Sequence, residues 1–243
     1  MITRSPSLTD QVKAHIRERI EAGGFEDGRI PPEVELAEEL GVSRTTVRDA
    51  LSRLENEGAI YRRQGAGTFV NEQGLQIRSR LEEIWSYTEV LEDHGYAPSV
   101  TVVSEGVSTP DEPTAEALKL EADEEILSIE KLFLEDDEPV ILTTNRIPLK
   151  VLADSDYTHD ETLPLYEFIE DHSERALSYY LSEIIPVALD EDTAGKLGVP
   201  GGTVAISFDE IGFDQNNEPI VRATSYFRDD LLRFRLIRRR TRT

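Results

Sequence analysis

The chain has 243 residues, 26 Lys and Arg against 49 Asp and Glu, and no Cys. That length suits two domains of ordinary size, and the absence of thiols excludes disulfides and thiolate metal sites. No apolar run approaches the ~20 residues that span a bilayer and no signal-peptide core opens the chain, so a cytoplasmic protein is expected, with no membrane partner.

In chain order, residues 8–22 read as a helix with Leu8, Val12, Ile16 and Ile20 in an i, i+4 row, stopped at Gly23-Gly24. Ile30-Pro31-Pro32-Glu33 breaks the chain and opens a second helix over 33–40, with an acidic residue where the helix dipole favours it. Gly41 ends that helix and Ser43 caps the next. The third helix carries Val47, Ala50, Leu51 and Leu54 on one arc. Outside the arc stand Arg44, Thr45, Arg48, Asp49 and Ser52. Two guanidiniums among short hydroxyls can reach phosphates and base edges. Gly58 ends the helix, and 59–63 and 68–70 read as strands around the glycine-containing turn 64–67. Three helices and a hairpin make a winged helix-turn-helix.

Charge complicates that reading. The chain carries −23, and residues 73–227 alone carry −25, whereas nucleic-acid binders usually show a basic footprint. Either the chain does not bind DNA, or it works in molar salt, where an acidic surface stays hydrated and its charge is screened. Arg outnumbers Lys by 21 to 5, and over 42–65 the balance turns positive: Arg44, Arg48, Arg53, Arg62 and Arg63 against Asp49, Glu55 and Glu57. Basic residues persist where DNA would sit, which favours a halophilic source.

After a polar linker, Ser79 is expected to cap a helix bearing Leu81, Ile84, Trp85, Thr88 and Leu91, ending near Gly95. A repeat follows. Thr114-Ala115-Glu116-Ala117-Leu118 parallels Thr193-Ala194-Gly195-Lys196-Leu197, 79 residues on. Each is followed by a strand (126–134, 204–213), a polar turn ending in Glu-Pro (Glu138-Pro139, Glu218-Pro219) and a return strand (140–147, 220–227). The second turn is one residue longer. Two similar halves sharing an antiparallel sheet give an α+β domain.

Residues 8–70 resemble the GntR family of transcription regulators. The resemblance rests on Ile30-Pro31-Pro32-Glu33, Glu35-Leu36-Ala37, Gly41-Val42-Ser43-Arg44-Thr45-Thr46-Val47-Arg48 and Gly65-Ala66-Gly67-Thr68-Phe69-Val70. From about residue 80 to 235 the chain resembles the UTRA effector-binding domain of the HutC subfamily. Here the order and spacing of Asp137-Glu138-Pro139, Ile147-Pro148, Leu165-Tyr166, Leu197-Gly198, Asn217-Glu218-Pro219 and Tyr226-Phe227-Arg228-Asp229 carry it. The resemblance implies a chorismate-lyase-like sheet with a small-molecule pocket between its halves. It divides the chain into a DNA-binding domain at 1–72, a linker at 73–79 and an effector-binding and dimerisation domain at 80–243. The implied partners are double-stranded operator DNA, a small effector with an anionic group, and a second copy of the chain.

The DNA-contact candidates are Glu33, Ser43, Arg44, Thr45, Thr46, Arg48, Arg62, Arg63, Gly65, Gly67 and Thr68. The effector candidates from matched positions are Ser99, Lys131, Phe133, Thr143, Asn145, Tyr180, Glu210, Arg222, Thr224 and Tyr226. Strand alternation puts Leu127, Ile129, Lys131 and Phe133 on one face, and the repeat maps Lys131 onto Glu210. Where the family grips an anionic effector with Arg-x-Arg, this chain has Lys131 and Phe133, a point charge and an aromatic ring in place of guanidinium forks.

No catalytic constellation stands out, and the histidines at 15, 94, 159 and 172 lack metal-ligand spacing. Neither an enzyme, a metal nor a cofactor is expected. The rival reading, a carrier or enzyme on the same sheet with the N-terminal domain as an interaction module, is opposed by the intact face from Ser43 to Arg48. The Arg-rich run at 231–242 reads as a solvated tail or docking edge in preference to a second phosphate contact.

Overall fold

The structure is a computed structural model that describes residues 7–76, 81, 83–153, 163–228, 234 and 237. The chain forms two compact units, the first built up to residue 80 and the second over 81–234. The expected cap at Ser79, His159 and all but two residues of the run 231–242 lie outside the described residues.

The first unit opens with α1 (Leu8–Glu21), where Ser7 accepts the Asp10 N–H at 3.2 Å. Val12, Ile16 and Ile20 are buried, but Leu8 stays 53% exposed, so the apolar row starts a turn later than its spacing suggests. A two-residue strand β1 (Arg29–Ile30) leads through Pro31-Pro32 into α2 (Glu33–Leu40), which Gly41 ends in the left-handed region at φ 65°. Ser43 then caps α3 (Arg44–Asn56), accepting the Thr46 N–H at 3.1 Å. Val47, Ala50, Leu51 and Leu54 close the core against α1 and α2.

Strands β2 (Ile60–Arg63) and β3 (Gly67–Val70) form the wing, and β1 pairs with β3 to make it three-stranded. That third strand was not expected, because two residues are too few for any alternation to show. Past β3, the turn Gly74–Gln76 lays Leu75 on the same core. A Cβ on Gly74 would come 1.9 Å from the Gly58 carbonyl oxygen. The first unit therefore continues beyond Glu72 into residues expected to serve as linker.

The second unit begins its regular structure at α4 (Tyr87–Asp93), with Ser86 accepting the Glu89 N–H at 3.4 Å. The expected helix through Ile84 and Trp85 is thus corrected: in the described part both residues precede it. Trp85 stacks on Phe234 at 5.7 Å. There follow β4 (Pro98–Ser108), α5 (Glu112–Ala117), β5 (Ile126–Glu135), β6 (Glu138–Pro148), α6 (Leu165–His172), β7 (Leu177–Ala188), α7 (Glu191–Lys196), β8 (Val204–Asp214) and β9 (Pro219–Phe227). They build one antiparallel sheet in the order β4-β5-β6-β9-β8-β7.

This order is the repeat made visible, with two β-α-β-β halves joined at β6 and β9. Asp111 caps α5 through the Thr114 N–H at 3.0 Å, and Asp190 caps α7 through the Thr193 N–H at 2.8 Å. Each hairpin bulges at the same point: the pairing steps past Val140 in one and past Ile220 in the other. At the junction Thr144 faces Thr224, its own counterpart 80 residues on, so a local two-fold axis passes between them. Clusters built on α4 and α6 cover one face of the sheet, and a cluster containing α7 residues covers the other. Among the described residues no helix is long and apolar enough to cross a membrane, and no group of three or more metal-ligating side chains occurs.

Candidate nucleic-acid interface and ligand cavity

The exposed side of the first unit gathers residues from α2, α3 and the wing. The Ser43 and Thr46 hydroxyls lie 2.8 Å apart at the start of α3. Arg44, Thr45 and Arg63 are exposed. Arg48 is held by Glu33, its Nε and Nη2 donating at 3.1 and 3.0 Å to one carboxylate oxygen. Arg62 lies 3.3 Å from Glu55 and 3.9 Å from Glu33. Glu33 therefore buttresses the arginines on its own unit. At the wing tip Gly65 and Gly67 take φ of 75° and 121°, which a side chain would resist. Thr68 pairs with Arg62 across the hairpin.

In the second unit, the α4/α6 face of the sheet floors a cavity of about 650 Å³. Two rows cross it in register: Lys131, Thr143, Ser225 and Phe208, then Ile129, Asn145, Ala223 and Glu210. The residues just ahead of α4, the first turn of α6 and the middle of β7 supply the walls.

Lys131 is 6% exposed, and its Nζ donates to the Leu163 carbonyl at 3.1 Å. The Tyr87 and Ser225 hydroxyls lie 2.9 Å apart. The Ser182 hydroxyl donates to Glu210. Burial pushes the Glu210 carboxyl above the ordinary carboxylate range. The phenols of Tyr180 and Tyr87 are raised chiefly by burial and further by the Glu210 charge. Gly212 makes room for Tyr180: a Cβ there would come 2.9 Å from its ring and 2.5 Å from Val221.

Six of the ten effector candidates line this cavity: Lys131, Phe133, Thr143, Asn145, Tyr180 and Glu210. Ser99, Arg222, Thr224 and Tyr226 do not. Ser99 is exposed on β4. Arg222 holds Asp209 at 3.1 Å and Thr114 at 3.1 Å on the opposite face. Thr224 accepts from Arg146 at 3.4 Å, and Tyr226 packs on the α7 cluster.

Strand parity is the reason for the last three: on β9 they alternate with Val221, Ala223 and Ser225, so they face the other side of the sheet. Past the longer second turn the offset between the halves is 80, which makes Ser225 the counterpart of Asn145. Trp85, Tyr87, Ser182 and Phe208, which also line the cavity, carried no comparable signal. Two of the histidines serve helix ends: His94 Nδ1 lies 2.7 Å from the Val90 carbonyl and His172 Nδ1 3.0 Å from that of Phe168.

Residues 8–70 match the bacterial regulatory proteins, gntR family, and residues 93–233 match the UTRA domain. This chain belongs to the gntR-family regulators that carry a UTRA domain. It is similar to the HTH-type transcriptional repressor NagR of Bacillus subtilis (strain 168), 28% identical over 225 residues that cover 92% of this chain and 91% of that one. The probable fructoselysine utilization operon transcriptional repressor of Escherichia coli (strain K12) is 28% identical over 211 residues, covering 86% and 85%. In fold it is similar to the possible transcriptional regulator YydK from Bacillus subtilis, with a TM-score of 0.74 at 19% identity over 96% of this chain and 100% of that one. The regulator is thus a DNA-binding transcription factor with an effector-binding domain, and not an enzyme.

Proposed function

We propose that this regulator is a HutC-type repressor that works in the cytoplasm, binds a two-fold operator as a homodimer, and holds its effector in the cavity over the sheet. The observation that carries the effector reading is the buried Lys131 ammonium beside the residues leading into α6. A cation on the cavity floor and a helix start at its wall together favour an anionic group on the ligand. Thr143, Asn145 and Ser225 offer hydroxyl and amide groups along the floor, while Phe133 and Tyr180 supply aromatic surface. The repressor sense is supported by the names of the two relatives above.

Two heads are needed because one recognition helix reads only a few base pairs. A second copy is supported by β7, a 12-residue edge strand whose Leu181 is 61% exposed and Ile184 49%. Monomeric proteins seldom leave such an edge bare. Arg44, Arg48, Arg62 and Arg63 are assigned to phosphates and guanine edges, Thr45, Thr46 and Thr68 to hydroxyl contacts, and Gly65 and Gly67 to close approach of the wing. Ser43 and Glu33 hold the frame.

Fluorescence anisotropy with the operator upstream of the regulator's own operon tests both sites. Losing one Arg–base contact costs about 1–3 kcal/mol, so Arg44→Ala with Arg48→Ala should weaken operator binding at least about tenfold. Undiminished affinity in the double variant would sink the DNA-face assignment. Lys131→Ala should bind operator normally without ligand and fail to respond to it; a normal response would move the effector elsewhere.

The acidity is assigned to life in molar salt. At about 0.01 M ionic strength the Debye length is about 30 Å, and at about 1 M about 3 Å, so the −25 of residues 73–227 repels itself chiefly in dilute buffer. The melting temperature should climb between about 0.1 and about 3 M KCl. A flat or falling curve would remove the halophile reading.

A further inference from the structure

The two halves of the sheet put opposite charges at equivalent places. Lys131 on β5 and Glu210 on β8 are repeat counterparts 79 residues apart, and both line the cavity. Their strands lie three strand spacings apart, about 14 Å at about 4.8 Å each. Between them the floor is hydroxyl and amide: Thr143, Asn145 and Ser225.

The Glu210 end is built differently from the Lys131 end. The carboxylate is partly buried, and its hydrogen-bond partner among the described residues is the Ser182 hydroxyl, which leaves its charge unmatched there. Tyr180 lies diagonally across from Glu210 on the paired strand β7, and the Tyr87 hydroxyl reaches Ser225, two residues along β9 from Ala223, the residue that pairs with Glu210. Tyr180 owes its position to the missing side chain at Gly212. Lys131 is the single cation among the described residues lining the cavity. A carboxylate in a cavity lined also by phenol rings, with no cation among the described residues at its end, is an environment that selects an ammonium, through ion pairing and through aromatic surface.

We propose that the Glu210 end of the cavity is a cation subsite, and that the effector is a dipolar molecule with an ammonium at Glu210 and its anionic group at Lys131. The inference rests on the cavity being the effector site. It explains why the repeat diverged at these two positions: a ligand with unlike ends breaks the two-fold symmetry of the sheet that holds it.

Isothermal titration of the full chain in about 1 M KCl, where diffuse attraction to the acidic surface is screened, separates the two ideas. The probes are choline, its neutral isostere 3,3-dimethylbutan-1-ol, and inorganic phosphate. The wild type should prefer choline over the isostere by roughly tenfold. Glu210→Gln should abolish that preference and leave phosphate binding intact. Lys131→Met should lose phosphate and keep the choline preference. Phosphate binding with no choline preference in the wild type, or a preference that survives Glu210→Gln, overturns the cation subsite while leaving the effector site standing. If neither choline nor phosphate binds, the cavity reading falls and the subsite falls with it.

Discussion

The first half of the sheet and the second solve the same folding problem and face different chemistry. On the side of α5 and α7 they agree: each has an aspartate cap, a Thr at the third helical position and a bulge at the same step of its hairpin. On the cavity side they part. Lys131 and Phe133 in the first half stand where the second has Glu210 and Gly212, and Asn145 answers to Ser225. Features that close the fold are kept in duplicate, while side chains that face the cavity differ. Divergence between counterparts therefore marks the site more sharply than either half does alone.

The largest expected effect breaks the symmetry where it is already broken. Gly212→Val would drive a side chain into Val221 and Leu177, which a Cβ alone would approach at 2.5 and 2.7 Å. It should cost about 1–3 kcal/mol in urea unfolding. The counterpart change Phe133→Leu keeps most of the volume and should cost less than about 1.5 kcal/mol. A tolerated Gly212→Val would mean that Tyr180 does not depend on that gap.

A smaller effect should be shared by both halves. Asp111→Ala and Asp190→Ala each remove a helix cap, and their melting temperatures should fall by similar small amounts. The carboxyls of both sit below the ordinary range, Asp111 chiefly through the Thr114 hydroxyl and Asp190 chiefly through the Thr193 N–H. The caps accordingly contribute at neutral pH and lose that contribution as pH falls through the lowered values. Strongly unequal losses would show that the halves do not fold alike.

The smallest effect is confined to one half and reverses the sign. Burial raises the Glu210 carboxyl, so its charged form opposes folding, an effect absent at low pH that grows as pH rises through the raised value. Glu210→Gln should melt above the wild type near about pH 8 and converge with it near about pH 4. Thermal melts across that range check it, and a constant offset between the curves would refute the burial argument.

Much of this was legible because its signals are local. Gly41 and Ser43 place the helix-turn-helix within a few residues, and the spacing of Val47, Ala50, Leu51 and Leu54 gives the buried face directly. The repeat was legible for the same reason. Failures came where information is spread or duplicated. Ser79 and Ser86 both stand three residues before a glutamate, the same capping pattern, and in the described residues it is Ser86 that starts the helix. The edge strands β4 and β7 are largely exposed on the outer parts of their length, so apolar alternation does not outline them. The cavity's walls come from segments far apart in sequence, and Ser225 stands out as the counterpart of Asn145 only once the offset past the longer second turn is counted as 80.

The pairing of Thr144 with Thr224 has a consequence for origin. Exchange β6 and β9 and the register reads the same, as a palindrome does. A shorter ancestor holding one half would already possess a strand edge complementary to itself, and two such chains would assemble this sheet around the same threonine. Fusion of two such copies would turn a meeting between molecules into one within a molecule. It would also release each copy from having to match the other, which leaves room for Glu210 at one end of the cavity and Lys131 at the other.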